Sequence, residues 1–176
     1  MIYYIADNHF GDERIRQLAR RPFPSVKNMD DTMTYLWNHR VGKKDKVYIV
    51  GDFAIDNQTA VKALKELNGE KILILGNHDS VFDEKTLHYF DLTATICTIR
   101  DENHNVTLCH YPLLSYEKSI YGGYHVFGHI HNNPHDIATK IIKHLPRHLH
   151  CGADVIGFTP KTLQELIYLK NKSMRV

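Results

Sequence analysis

The chain has 176 residues, 43% of them hydrophobic and 24% charged, which is the balance of a globular domain and excludes intrinsic disorder. A formal net charge of +2 is too small to mark a nucleic-acid binder by itself, and no apolar run approaches the roughly 18 residues of a membrane span. The start, Met1-Ile2-Tyr3-Tyr4-Ile5-Ala6-Asp7, lacks the basic and long apolar regions of a signal peptide. Three cysteines without paired spacing exclude a disulfide scaffold and predict a reducing, cytoplasmic setting. In chain order, short apolar runs at 2–6, 46–50, 71–75, 106–109, 125–127 and 148–151 read as buried strands, several of them β-branched or aromatic and followed by turn residues. Helical patterns lie between them. Asn28 is the expected N-cap of one helix, with Met29, Met33, Leu36 and Trp37 on its inner face. A second starts near Asp56 or Asn57 and stops at Asn68-Gly69, and a third begins near Asp83. In the last, Thr159 caps and Pro160 opens a helix that buries Leu163, Leu166 and Ile167. Residues 132–147 fit neither pattern. The alternation predicts α/β layers in one domain over residues 1–176.

The thirteen histidines give the sequence its distinctive feature, because several fall where strands end. After the first strand come Asp7-Asn8-His9, after the second Gly51-Asp52, after the third Gly76-Asn77-His78-Asp79, after the fourth His110, and after the fifth Gly128-His129-Ile130-His131. Ligands of open α/β sheets bind outside the carboxyl ends of the strands, so these segments are expected on one rim. Carboxylate, amide and imidazole donors suit divalent Mn, Fe, Zn or Co without a thiolate. In extended backbone, D-x-H and H-x-H place both outer side chains on one face and turn Asn8 and Ile130 away. Gly51, Gly76 and Gly128 precede the donors where the chain must turn sharply and approach closely. Asp7, His9, Asp52, Asn77, His110, His129 and His131 are too many donors for one four-coordinate ion and suit two ions about 3.5–4 Å apart, the clamp for in-line displacement at phosphorus. Asp52 is then the natural bridge. Two dications, two carboxylates and a hydroxide leave the site near about +1, which favours an anionic phosphate ester.

These five blocks closely resemble the signature of the calcineurin-like metallophosphoesterase superfamily: D-x-H, G-D, G-N-H-D/E, H and G-H-x-H, complete and in order. Arg21-Pro22-Phe23, Trp37-Asn38 and Gly51-Asp52-Phe53-Ala54 are further similar to its small bacterial and phage members. The resemblance implies a two-sheet α/β/β/α sandwich and a binuclear centre, with Mn favoured and Fe, Zn, Ni or Co as other candidates. One ion would take Asp7, His9, Asp52 and His131; the other would take Asp52, Asn77, His110 and His129. It further implies in-line attack by a bridging hydroxide, His78 beside the scissile phosphate as charge stabiliser or proton donor, and Asp79 orienting the His78 imidazole.

Other residues carry weaker signals. Arg20 and Arg21 could grip a phosphate, against a plain reading as a solvated basic loop. Tyr121, among the tyrosines around Gly122-Gly123, could wall an aryl group or base. Asp154 either supports the site by a hydrogen bond or caps a turn, with the cap favoured. His125 and the remaining histidines read as core or surface groups. The expected substrate is a small phosphate ester, a diester before a monoester or nucleotide pyrophosphate, with nucleic acid less favoured and a non-catalytic metal-binding scaffold least. No membrane association is expected, and the oligomeric state is not encoded in any visible pattern.

Overall fold

A computed structural model describes residues 1–174. Two four-stranded sheets form its frame. In the first, β1 (Ile2–Ile5), β2 (Lys46–Ile49), β3 (Glu70–Ile74) and β4 (Leu92–Ala94) pair in that order, all parallel. In the second, β5 (Ile96–Asp101) runs antiparallel to β6 (His104–Cys109), which continues in parallel to β7 (Tyr124–Phe127) and β8 (His148–His150). Parallel strands covered on both faces read as continuous apolar runs, and Ile5, Ile49 and Leu73 of one sheet join Val106, Val126 and Leu149 of the other in a single buried cluster. Helices cover the outside: α1 (Glu13–Leu18), α2 (Val26–Arg40), α3 (Asn57–Glu66), α4 (Glu84–Leu87), α5 (Ile137–Ile142), α6 (Ala153–Ile156) and α7 (Leu163–Ser173). The expected two-sheet α/β sandwich is what the chain forms. No helix among the described residues is long and apolar enough to cross a membrane.

The sheets are stitched together at their carboxyl ends. The Ala6 N–H donates to the Cys151 carbonyl at 2.9 Å and the Ala153 N–H donates to the Ala6 carbonyl at 2.8 Å. Just beyond β1 and β8, then, the two rims become one, and that rim carries the segments with the predicted metal donors.

Several boundaries differ from expectation for local reasons. Helix α2 begins earlier, because the Ser25 side chain accepts from the Asn28 N–H and caps it, placing Asn28 in the first turn. Helix α7 starts later: Thr162 and Glu165 form a reciprocal capping box, which satisfies two orphan donors at once. Thr159 instead bonds the Gly157 carbonyl, and Lys161 pairs with Tyr4 at the side of β1. Strands β4 and β5 have no counterpart in the expected set; they lie at sheet edges, with Leu92 and Ile96 exposed, so their pattern lacks a buried run. The unassigned stretch contains α5, capped by Asp136 on the Ala138 N–H.

His125 is structural, as expected. Its Nδ1–H donates to the Thr107 carbonyl at 3.1 Å, and its Nε2 accepts from the Leu113 N–H at 3.0 Å. Both bonds suit the neutral ring, and burial pushes its pKa down from 6.5 to about 4. The unfolded chain therefore takes up a proton before the native one does. Stability is full above pH 6.5 and drains as pH falls towards about 4, by on the order of 3 kcal/mol from this residue. Urea midpoints measured across that window should show the decline, and His125→Gln should make it shallower by this residue's share.

Candidate metal centre

The loops after β1 and β2 run side by side. Asp7 N–H donates to Gly51 O at 2.9 Å, His9 N–H to Asp52 O at 3.0 Å, and Phe10 N–H to Phe53 O at 3.0 Å. From the second sheet, the His129 N–H reaches across to both carboxylate oxygens of Asp7 at 3.0 Å. These bonds hold an unusual backbone. Asp7, His9, Asp52, His129 and His131 all have positive φ, between 46° and 71°, a region that costs non-glycine residues energy and persists only where surroundings enforce it. The side chains of D-x-H and H-x-H therefore converge through left-handed turns, not through the alternation of an extended strand. The middle residues do turn inward: Asn8 is buried, and Ile130 packs with Phe127 and Ile142.

Glycine is required where these loops touch. A Cβ on Gly76 would sit 2.3 Å from Asp52 Oδ1, and one on Gly51 would sit 2.2 Å from His110 Nδ1.

Two donor groups result. Asp7, His9 and His131 offer ligand atoms within 4.8 Å of one another, and so do Asp52, His110 and His129. Asn77 Oδ1, 3.1 Å from His110 Nε2, belongs with the second. Asp52 Oδ2 lies 3.7 Å from His9 Nε2 and 3.4 Å from His110 Nε2, so it faces both; Oδ1 is occupied by the His78 N–H at 2.8 Å. The arrangement fits divalent ions. His9 Nε2 is buried and unpartnered, and the remaining donors are hard or borderline. The electrostatics agree. Burial opposes the charge on Asp52, yet the hydrogen bond and charge of His110, with the His78 N–H, hold its carboxyl at about 2. Burial likewise opposes a charge on His110, but Asp52 and Asp7 pull it up to about 9. The carboxylates thus draw positive charge to the spot where a cation would bind.

The seven expected donors come together, and His78 is exposed beside them with its ring 5.2 Å from that of His9. Other expected roles change. Asp79 does not orient His78: its Oδ2 accepts from the Asp52 and Gly76 N–H groups and its Oδ1 from the Phe53 N–H, at 2.8–2.9 Å, so it pins the loops after β2 and β3 to each other. Arg21 is neither a solvated loop residue nor placed to grip substrate. Its fully buried guanidinium donates to Asp154 at 2.8 and 3.2 Å and to the carbonyls of Asn8 and Asp7 at 2.7 and 2.6 Å. Asp154 in turn lies 2.7 Å from His131 Nδ1, so the support role, not the turn cap, describes it. Arg20 is exposed at a positive φ of 53°. Tyr121 is 77% exposed, and it is Tyr111 whose ring packs against His129, 4.6 Å between centroids. Asp12 escaped notice: its Oδ2 stands 3.6 Å behind His9 Nδ1 while it caps α1, and the only local signal is an Asp ahead of a helical run.

Breaking the buried pair leaves Asp154 uncompensated. Arg21→Met should lower unfolding free energy by about 3–5 kcal/mol, whereas Arg20→Ala should change it by less than about 0.5 kcal/mol; chemical denaturation of both variants checks this.

No family model matches the chain. An uncharacterized protein of Methanocaldococcus jannaschii is 33% identical over 174 residues, 97% of this chain and 92% of its own length. The gene 66 protein of Mycobacterium phage L5 is 33% identical over 81 residues, 44% of this chain and 39% of its own. A protein of unknown function from Aquifex aeolicus shares the fold, with a TM-score of 0.76 over 96% of this chain and 98% of that one, at 23% identity. With the archaeal relative matched nearly end to end, the chain belongs to that relative's family.

Proposed function

We propose that this protein is a metal-dependent phosphoesterase that hydrolyses phosphodiesters. The position of Asp52 Oδ2, 3.7 Å from His9 Nε2 and 3.4 Å from His110 Nε2, carries the reading, because one carboxylate oxygen then serves two donor groups. Asp7, His9, Asp52 and His131 would hold one divalent ion and Asp52, Asn77, His110 and His129 a second, with Mn the first choice. When bound, such ions supply a water of lowered pKa and neutralise charge on the phosphoryl oxygens.

The chain's own side chains supply positioning and a proton. Asp52 remains ionised throughout the neutral range. Asp154 fixes the ring of His131 through Nδ1, leaving Nε2 to face the site. His78, anchored by its backbone N–H on Asp52 and exposed on the open side, donates an imidazole proton to the leaving oxygen, a contribution of roughly 10²–10⁴-fold. Tyr111, 45% exposed against His129, offers a flat surface to an aryl or base substituent. Arg21 would have supplied further positive charge for a monoester dianion, but it is committed to Asp154 and two carbonyls. That leaves the monoanionic diester better matched.

After chelation and reloading with Mn, Ni, Zn or Mg, the protein should hydrolyse a bis-aryl phosphate faster than the mono-aryl ester. The reverse order would assign a monoesterase, and inactivity with every metal would overturn the proposal. His78→Ala should retain its metal and lose roughly 10²-fold or more in turnover on a diester with a poor leaving group. Asp52→Asn should lose metal, read by elemental analysis.

A further inference from the structure

Two buried histidines outside the metal centre grip the loop that joins β6 to β7. His125 and His148 face each other as register partners across β7 and β8, and both are buried. A buried imidazole is costly unless its nitrogens are bonded, and both spend a bond on one residue of the loop. His125 Nε2 accepts from the Leu113 N–H at 3.0 Å and lies 3.2 Å from the Tyr111 carbonyl. The His148 Nε2–H donates to the Leu113 carbonyl at 2.9 Å. The peptide groups on both sides of Leu113 are therefore fixed by side chains. Tyr116 packs on both imidazoles, 5.2 and 5.3 Å between centroids, and its hydroxyl donates to the Gly123 carbonyl at 2.9 Å. Thr107 of β6 donates to the Glu117 carbonyl at 3.1 Å. Surface loops are ordinarily the mobile part of a fold; this one is pinned from three strands.

The pinning places Tyr111, which is 45% exposed. Its ring lies 5.2 Å from that of His110 and 4.6 Å from that of His129, centroid to centroid, so it adjoins the donor group of Asp52, His110 and His129. The ring of His78 instead lies 5.2 Å from that of His9, in the group of Asp7, His9 and His131. A diester seated over both groups would then have one arm towards His78 and the other towards Tyr111. The arm beside His78, the proton donor, is the one that leaves.

We propose that Tyr111 selects diesters whose retained arm carries a planar aromatic group, an aryl ring or a base, and that His125 and His148 are positioning residues that hold Tyr111 for this stacking. The inference rests on the phosphoesterase reading and adds to it which arm is recognised and what holds the recognising ring. A pre-set aromatic surface gains affinity because little freedom is lost on binding.

Phenyl 4-nitrophenyl phosphate and methyl 4-nitrophenyl phosphate share a leaving group and differ in the retained arm. With the Mn-loaded protein, Tyr111→Leu should raise KM for the phenyl ester roughly tenfold with little change in kcat, and should leave KM for the methyl ester alone. Tyr111→Phe keeps the ring and should behave as the wild type. His148→Leu should reproduce the KM effect of Tyr111→Leu with metal content unchanged, while His148→Gln, whose amide can still donate to the Leu113 carbonyl, should recover most of it. Hydrolysis of neither ester with any metal would sink the phosphoesterase reading and this inference together. Hydrolysis of both, with Tyr111→Leu altering neither KM or both equally, would overturn the stacking role alone. Equal KM values for His148→Leu and the wild type would overturn the positioning role.

Discussion

Asp7 is held by both sheets at once, and the rest of the site depends on that. Its N–H is taken by Gly51 of the loop after β2, its carbonyl by Arg21, and its carboxylate by the His129 N–H from the second sheet. With Ala6 stitched to Cys151 and Ala153, the junction fixes the distance between the donor groups. Neither group can move far without breaking backbone hydrogen bonds that the core on both sides supports.

Around this junction, charge is distributed with a clear division of labour. Arg21 and Asp154 form a fully buried pair beneath the site, a costly arrangement unless every proton and lone pair is used. Here each is used: guanidinium to carbonyls and carboxylate, carboxylate to His131. Asp79 does similar work with backbone donors alone, and burial raises its pKa despite three such bonds. These groups place other atoms; Asp7, Asp52 and the imidazoles face the open side.

The donors were legible because each follows an apolar run that only a buried strand explains, and because glycine precedes the close approaches at Asp52, Asn77 and His129. Long-range partnerships were not. Arg21 and Asp154 are 133 residues apart, and nothing in Arg21-Pro22-Phe23 signals an inward guanidinium. Asp79 adjoins His78 in the chain, which suggested a pairing that the tight turn after β3 prevents, since that turn aims the carboxylate at the backbone N–H groups of Asp52, Phe53 and Gly76. Edge strands β4 and β5 were missed because half-exposed strands lose the apolar continuity that identifies central ones. The left-handed backbone at five donor positions has no local signature beyond the tolerance of Asp and His for it.

That backbone conformation bears on how the donors can be interrogated. Alanine at position 7, 9, 52, 129 or 131 would remove a ligating atom and simultaneously install a side chain with little liking for positive φ, so any deficit would mix two origins. Asparagine and glycine visit this torsional basin readily. Exchanging a donor for one of them isolates the chemical deletion from distortion of the main chain, and a matched alanine series would then read out the conformational penalty on its own.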